Sequence, residues 1–317
     1  MTKALDLFAG TGWGVACQWL GIEEMGVEIM PDAVATRAAN GMTTIYNDVW
    51  NGLLDSSFQE DYDILIASPP CQTFSVAGDG DGRKALEEVL SAISTGVYKD
   101  PVALHELTTL TDPRTALVLT PLAHVWRDRP MYVVFEQVPP VLPVWVACGA
   151  AMEEMGYSVW TGNLHAEEYN VPQTRKRAVL IARRDEVEAT KPRSARTDGP
   201  YSKTKSARWH SMFDALKWGF VSRPAMTVSN AVGRGLQGGS GARKTIQYAL
   251  ADGTFIPSIH AKDNSYAEST RITVEEAGVL QSYPRDFKWQ GTKTNQFLQI
   301  GNAVPPLMAQ AILRMFL

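Results

Sequence analysis

The sequence predicts an α/β fold: a doubly wound, mostly parallel sheet into which a small separate lobe is inserted. Three observations carry this. Short apolar runs alternate with helix-like stretches through residues 1–184, the rhythm of strand–helix–strand units. After Arg184 the texture turns polar and strand-poor, and KPRSARTDGPYSKTKSAR (191–208) sets six basic residues against Asp198 alone. Near residue 268 helical periodicity returns, so the chain re-enters the first unit. The expected division is 1–184, 185–267 and 268–317.

The elements follow in order. ALDLF (4–8) is a strand that runs into DLFAGTGWG (6–14), with glycines at 10, 12 and 14 before the helical VACQWLG. Such a turn either lets the backbone approach a ligand at a helix N-terminus or simply packs tightly. MGVEI (25–29) is the second strand, and Glu28 at its end suits the two hydroxyls of a ribose or is a solvated carboxylate. PDAVATRAAN reads as a helix. Asp48, in YNDVW at the next strand end, accepts from an adenine amino group or caps a helix. DILIAS (63–68) leads to Pro69 and Pro70, which restrict the backbone just before Cys71. That is the carboxyl edge where open α/β sheets bind ligands, so Cys71 reads as a placed nucleophile. Cys17 and Cys148 read as small core residues.

Further along, GRKALEEVLSAI (82–93) has helical spacing within the long stretch between Gln72 and Asp112. MYVVFEQ (131–137) reads as a strand buried on both faces, yet it ends in Glu136. That residue is either a satisfied buried carboxylate or a general acid whose pKa burial has raised. After the helical PVWVACGAAMEEMG come strands YSVWTG (157–162) and RAVLIARR (177–184). QTRKR (173–177) spaces Gln173, Arg175 and Arg177 at period two on one face, either a solvated edge or the wall of a cleft for phosphate or a base. GRGLQGGSGARK (233–244) is a Gly-rich basic loop, and VEEAGVLQSY and PPLMAQAILRMFL are helical.

Composition narrows the partners. No run approaches the roughly 18 apolar residues of a membrane span, and MTKALDLF enters a strand rather than a signal peptide, so a cytoplasmic protein is expected. The three cysteines are odd in number and scattered, which argues against a disulfide framework or a zinc site, and no metal is expected. A net charge of −4 leaves room only for a local nucleic-acid site.

The ordered set DLFAGTGWG, SPPCQTFS, FEQV, QTRKR and GNAVPP (301–306) resembles the cytosine-C5 DNA methyltransferase family. RITVEEAGVLQSYPRDFKWQG (271–291) also resembles the segment that precedes the family's last motif. The likeness covers most of 1–184 and 268–317; residues 185–267 match loosely, and there the family keeps its target-recognition domain. It implies a Rossmann-like S-adenosylmethionine-dependent fold acting as a monomer on double-stranded DNA, in the cytoplasm of a bacterial or phage-infected cell. Cys71 would add to cytosine C6, Glu136 would serve the ring nitrogen N3, and Arg175 and Arg177 would orient the base and the cysteine loop. The cofactor would rest on Phe8, Gly10, Thr11, Gly12, Glu28, Asp48, Val49, Pro70, Leu117 and Asn302. Ser75, Gln173, Arg234, Arg243 and Lys244 would meet DNA, with the target base flipped from the stack.

Three departures stand out. Trp13 replaces the family's second glycine, Gln137 replaces an asparagine after Glu136, and the stretch after Cys71 is long enough for an extra helix. Two other readings remain at this point: an RNA (tRNA) cytosine-C5 methyltransferase on the same fold, and a non-catalytic DNA-binding relative.

Overall fold

Alternation along the central strands decides the layers. In β1 (Lys3–Leu7), Leu5 and Leu7 face one side and Ala4 the other. The same switch recurs in β4 (Ile64–Ala67), β5 (Tyr132–Gln137) and β7 (Lys176–Arg183): Leu65, Phe135 and Leu180 point to the first side, Ile66, Val134 and Ile181 to the second. Both faces are apolar, so both need helices. The computed structural model describes residues 1–55, 60–70, 81–110, 116–195, 210, 215–216 and 273–317, and the backbone of three two-residue strands.

With β2 (Glu23–Val27), β3 (Thr43–Tyr46) and β6 (Ser158–His165), the sheet has seven strands in the order β3-β2-β1-β4-β5-β7-β6. All neighbours are parallel except β7, which is antiparallel to β5 and to β6. No crossover helix separates β6 from β7, only a 3-10 turn at Ala166–Tyr169, so the chain returns as a hairpin does. Strand order reverses between β1 and β4, and the crevice beyond their carboxyl ends is where such sheets take ligands.

On the first face lie α3 (Val49–Leu54), α4 (Asp81–Thr95), α5 (Pro101–Leu110), α6 (Thr120–Asp128) and α7 (Leu142–Glu154), around Phe135 and Trp145. α4 is the extra helix expected within 82–93. α1 (Gly12–Leu20) and α10 (Pro306–Leu313) cover the second face through Trp13, Cys17, Met308 and Ile312. Cys17 and Cys148 are both fully buried, as core residues should be.

The C-terminal return is built by α8 (Val274–Leu280), α9 (Lys293–Asn302) and α10. α8 begins at a capping box, in which Thr273 and Glu276 satisfy each other's backbone N–H at 3.2 and 2.7 Å. The segment then clamps onto α2 (Pro31–Ala39): the Asn40 side chain pairs with both the N–H and the carbonyl of Lys288, each at 3.0 Å.

Residues 185–195 do not depart into a separate lobe. Ala189 N–H donates to Ser158 Oγ at 2.9 Å, Ala195 N–H to the Glu168 carbonyl at 3.0 Å, and Tyr169 OH to the Pro192 carbonyl at 3.2 Å. The sheet domain therefore continues past Arg184, because polar composition alone does not reveal a strap held by backbone bonds. Beyond it, Gly219–Phe220, Tyr248–Ala249 and Phe255–Ile256 form a small antiparallel sheet. Among the described residues no helix is long and apolar enough to cross a membrane, and no cluster of His, Cys, Asp and Glu is suited to a metal ion.

Candidate active site

The glycine turn after β1 is held by charge from beneath. Phe8 and Gly10 both take positive φ, 59° and 47°, which turns the chain sharply over the ends of β1 and β2. A β-carbon at Gly10 would find nothing within 4 Å, so this turn borders open space. The Gly10 peptide is gripped at both ends: its N–H donates to Glu28 Oε2 at 2.8 Å, and its carbonyl accepts from Arg37 Nη1 at 3.0 Å. Arg37 is itself fully buried, and its Nη2 alone reaches both Glu24 oxygens, at 2.7 and 2.9 Å. Burial, and next the Glu24 charge, push the adjacent Asp6 carboxyl well above its usual range. Gly26 admits this arginine, since a β-carbon there would lie 2.1 Å from Arg37 Nη2.

Of the residues expected at the cofactor, Glu28 is tied to this turn directly and Thr11 is part of it. Glu28 also accepts from Met30 N–H at 2.8 Å, so its carboxylate is oriented before any ligand arrives. Thr11 Oγ1 meets Tyr283 OH at 2.7 Å, joining the turn to the C-terminal segment. Asp48 caps α3, accepting from Trp50 N–H at 3.0 Å through Oδ1. Val49 is buried, Pro70 and Leu117 are half-buried, and Asn302 is exposed at the end of α9. Two residues escaped the sequence reading. Ile29 follows Glu28 and is 68% exposed, an uncovered apolar side chain at the rim, and Arg37 looked like any helical surface charge.

At the ends of β4 and β5 a second constellation forms. Glu136 is buried, and Arg177 Nε lies 2.9 Å from its Oε1. Burial pushes the Glu136 carboxyl above its usual range, against the pull of the Arg177 and Arg175 charges and of hydrogen bonds from Ser68 and Arg177. The substituted Gln137 donates to the Pro69 carbonyl and accepts from Val138 N–H, so the longer amide still ties β5 to the Pro69–Pro70 lead into position 71.

QTRKR is not one face of one strand. β7 begins at Lys176, and the residues before it turn toward the C-terminal helices. Gln173 is fully buried and donates to the Leu280 carbonyl at 3.0 Å and to Gln281 Oε1 at 2.5 Å. Its expected role at DNA is thus corrected: its amide lies inside the junction between domain and return segment. Gln281 in turn donates to the Ile300 carbonyl at 2.7 Å, and Arg175 Nη2 to the Gly301 carbonyl at 2.7 Å. This polar seam sets GNAVPP against the glycine turn, where a β-carbon on Gly12 would sit 2.0 Å from the Val304 carbonyl oxygen.

The chain matches the family described as C-5 cytosine-specific DNA methylase over residues 2–93, 106–217 and 209–316. It belongs to that family. It is 30% identical to the type II methyltransferase M1.HphI of Haemophilus parahaemolyticus, over 97% of this chain and 84% of that protein. To the type II methyltransferase M.AplI of Arthrospira platensis it is 25% identical, over 97% of this chain and 83% of that protein. Among solved structures, the S. pombe Dnmt2 methyltransferase shares the fold with a TM-score of 0.65 at 16% identity, covering 100% of this chain and 98% of its own. A putative DNA modification methyltransferase encoded within an E. coli prophage does so with a TM-score of 0.60 at 18% identity, over 100% and 98%. The protein is thus a DNA cytosine-C5 methyltransferase by family.

In this methylase the glycine turn, Glu28, Glu136 and Arg177 lie along one edge of the sheet, at the carboxyl ends of β1, β2 and β5 and the amino end of the antiparallel β7. Cys71, Ser75, Arg234, Arg243 and Lys244 lie outside the described residues.

Proposed function

We propose that this methylase acts on duplex DNA with S-adenosylmethionine as methyl donor, through Cys71 and Glu136. The observation that supports the reading most is the buried Glu136–Arg177 pair beside the Pro69–Pro70 lead into Cys71. Cytosine C5 is a weak nucleophile until a thiolate adds to C6. The Cys71 sulfur forms the bond to C6, and the electrons displaced from the C5–C6 double bond build up on the ring as N3 takes a proton. Glu136, whose carboxyl burial holds above its usual range, supplies that proton. Arg177 fixes the carboxyl and faces the base. After C5 has gained its methyl group, water or hydroxide takes the C5 proton, the C5–C6 double bond re-forms, Cys71 leaves as the thiolate, and the N3 proton returns to Glu136. C5 and C6 lie inside the base stack, so the target is flipped out at a cost of a few kcal/mol.

When bound, S-adenosylmethionine supplies an electrophilic methyl on a sulfonium. The open cradle at Gly10 and the pre-oriented Glu28 fit such a group, with Phe8, Thr11, Gly12, Asp48, Val49, Pro70, Leu117 and Asn302 around it and Ile29 at the rim. Glu28→Ala should raise KM for S-adenosylmethionine roughly 10–100-fold with a smaller change in kcat, since ribose contacts are equal in ground and transition states. An unchanged KM would remove Glu28 from the pocket.

The relatives' type II character extends to this chain as the modification half of a restriction–modification pair. We assign 196–267 to target recognition, with Arg234, Arg243 and Lys244 as guanine readers of a short site of about 2–4 base pairs. Alanine at a reader relaxes one position of the site, at roughly 1–3 kcal/mol, whereas alanine at a phosphate contact weakens all sites alike. Bisulfite sequencing of DNA from cells expressing the gene tests the whole reading. Protected cytosines in one motif support it; full conversion, or methylation of tRNA rather than duplex DNA in a purified assay, refutes it.

A further inference from the structure

Arg37 leaves α2 and ends, fully buried, against the glycine turn. Every nitrogen of its guanidinium has a partner. Nε donates to Thr44 Oγ1 at 2.9 Å, and Nη2 to the Thr43 carbonyl at 2.7 Å and to the Glu24 carboxylate. These ties hold the group to β2 and β3. Nη1 reaches the other way, to the Gly10 carbonyl at 3.0 Å. The N–H groups of a guanidinium leave one rigid plane in fixed directions, so two strands dictate where the Gly10 carbonyl points.

The consequence lies at the far end of the same peptide unit. The bond from Gly10 to Thr11 is planar and trans, so its N–H points opposite to its carbonyl. With the carbonyl held toward Arg37, the Thr11 N–H is turned away from the buried guanidinium. Among the described residues no group accepts from it. Thr11 is also the N-cap of α1, yet its hydroxyl does not cap the helix and goes to Tyr283 instead. What Thr11 offers a ligand is therefore its backbone, at the positive end of the helix.

We infer that Arg37 is a positioning residue for the methyl donor: by holding the Gly10 carbonyl inward, it presents the Thr11 N–H to the carboxylate at the amino-acid end of S-adenosylmethionine. The inference rests on the reading of this turn as the cofactor site. Glu28, which holds the Gly10 N–H, is assigned to the ribose, so the two ends of the cofactor fall to different residues. An experiment can separate them.

S-Adenosylhomocysteine carries adenine, ribose and the amino-acid end, whereas 5′-methylthioadenosine lacks the last. Calorimetric titration of the whole chain with each compares the two. Arg37→Lys keeps a positive charge beside Glu24, but one ammonium cannot span Glu24, β3 and Gly10 together. It should weaken S-adenosylhomocysteine binding about tenfold or more and leave 5′-methylthioadenosine within about twofold of wild type. In methylation assays its KM for S-adenosylmethionine should rise by a similar factor, with kcat changed less. The double variant Arg37→Met/Glu24→Leu removes both buried charges together, so neither is left unpaired, and should show the same selective loss.

An arginine that merely supports the fold would behave otherwise: both ligands would weaken alike, which overturns the inference. So would an Arg37→Lys protein that binds S-adenosylhomocysteine as tightly as the wild type does. Failure of the underlying cofactor reading is distinct from either, because the wild type itself would then bind neither compound.

Discussion

Cys71→Ala should reduce methyl transfer at least about ten-thousandfold while leaving S-adenosylmethionine affinity within about twofold of wild type. The asymmetry follows from the chemistry. The thiol's task is confined to C6 of the base, and without its addition C5 stays too electron-poor to take a methyl group at all. The cofactor contacts expected from Phe8, Gly10 and Glu28 follow β1 and β2, whereas Cys71 follows β4, so most of the binding contacts lie apart from the nucleophile. A covalent test complements the kinetic one. Duplex DNA carrying 5-fluorocytosine at the target should form a denaturation-resistant adduct with the wild type, since fluorine cannot leave as a proton does in the last step. The alanine variant should form none. Residual methylation by Cys71→Ala at more than a per cent or so of the wild-type rate would mean that another group adds to the ring.

The sequence made the ends of β4 and β5 legible, where the candidate catalytic residues lie. A run such as DILIAS followed by Pro69 and Pro70 announces both a buried strand and the point where it must stop, and β4 ends at Ala67. Glu136 was visible for the same reason: a carboxylate closing an otherwise apolar strand needs an explanation. What stayed hidden was long-range. Gln173 and Arg175 had the right spacing for a cleft wall, but spacing along a strand says nothing about which neighbours close over it. Here Leu280, Gln281 and Gly301 do so, from more than a hundred residues later. Arg37 was missed because a helical arginine normally faces water, and only the fold shows Gly26 vacating space for it under the turn. The strap 185–195 was missed because it is tied through its own backbone groups, the N–H of Ala189 and Ala195 and the carbonyl of Pro192, to which composition is blind.

The glycine turn yields the second large effect. Gly12→Ala should lower the thermal midpoint by roughly 2–6 °C and weaken S-adenosylmethionine binding, although alanine suits a helix better than glycine by about 1 kcal/mol. Sterics decide against propensity. The new β-carbon would lie 2.0 Å from the Val304 carbonyl oxygen and 3.0 Å from its carbon, and both are backbone atoms that cannot swing aside as a long side chain would. Nor can the segment retreat easily. Val304 is buried, Pro305 and Pro306 fix the backbone after it, and α10 beyond them packs its Met308 and Ile312 into the core that holds Trp13 and Cys17. Overpacking of this kind costs about 1–3 kcal/mol or more, which exceeds the gain in propensity. Gly10→Ala is the informative comparison. There a β-carbon meets nothing within 4 Å, but φ is +47°, so the cost is backbone strain of about 1 kcal/mol. Its stability should fall less than that of Gly12→Ala, while its cofactor affinity suffers directly from a methyl group in the open cradle. Thermal unfolding, together with titration by S-adenosylhomocysteine, distinguishes the two. If Gly12→Ala melted with the wild type, the contact between GNAVPP and the turn would not be tight, and the C-terminal return would lose its claim to shape the cofactor site.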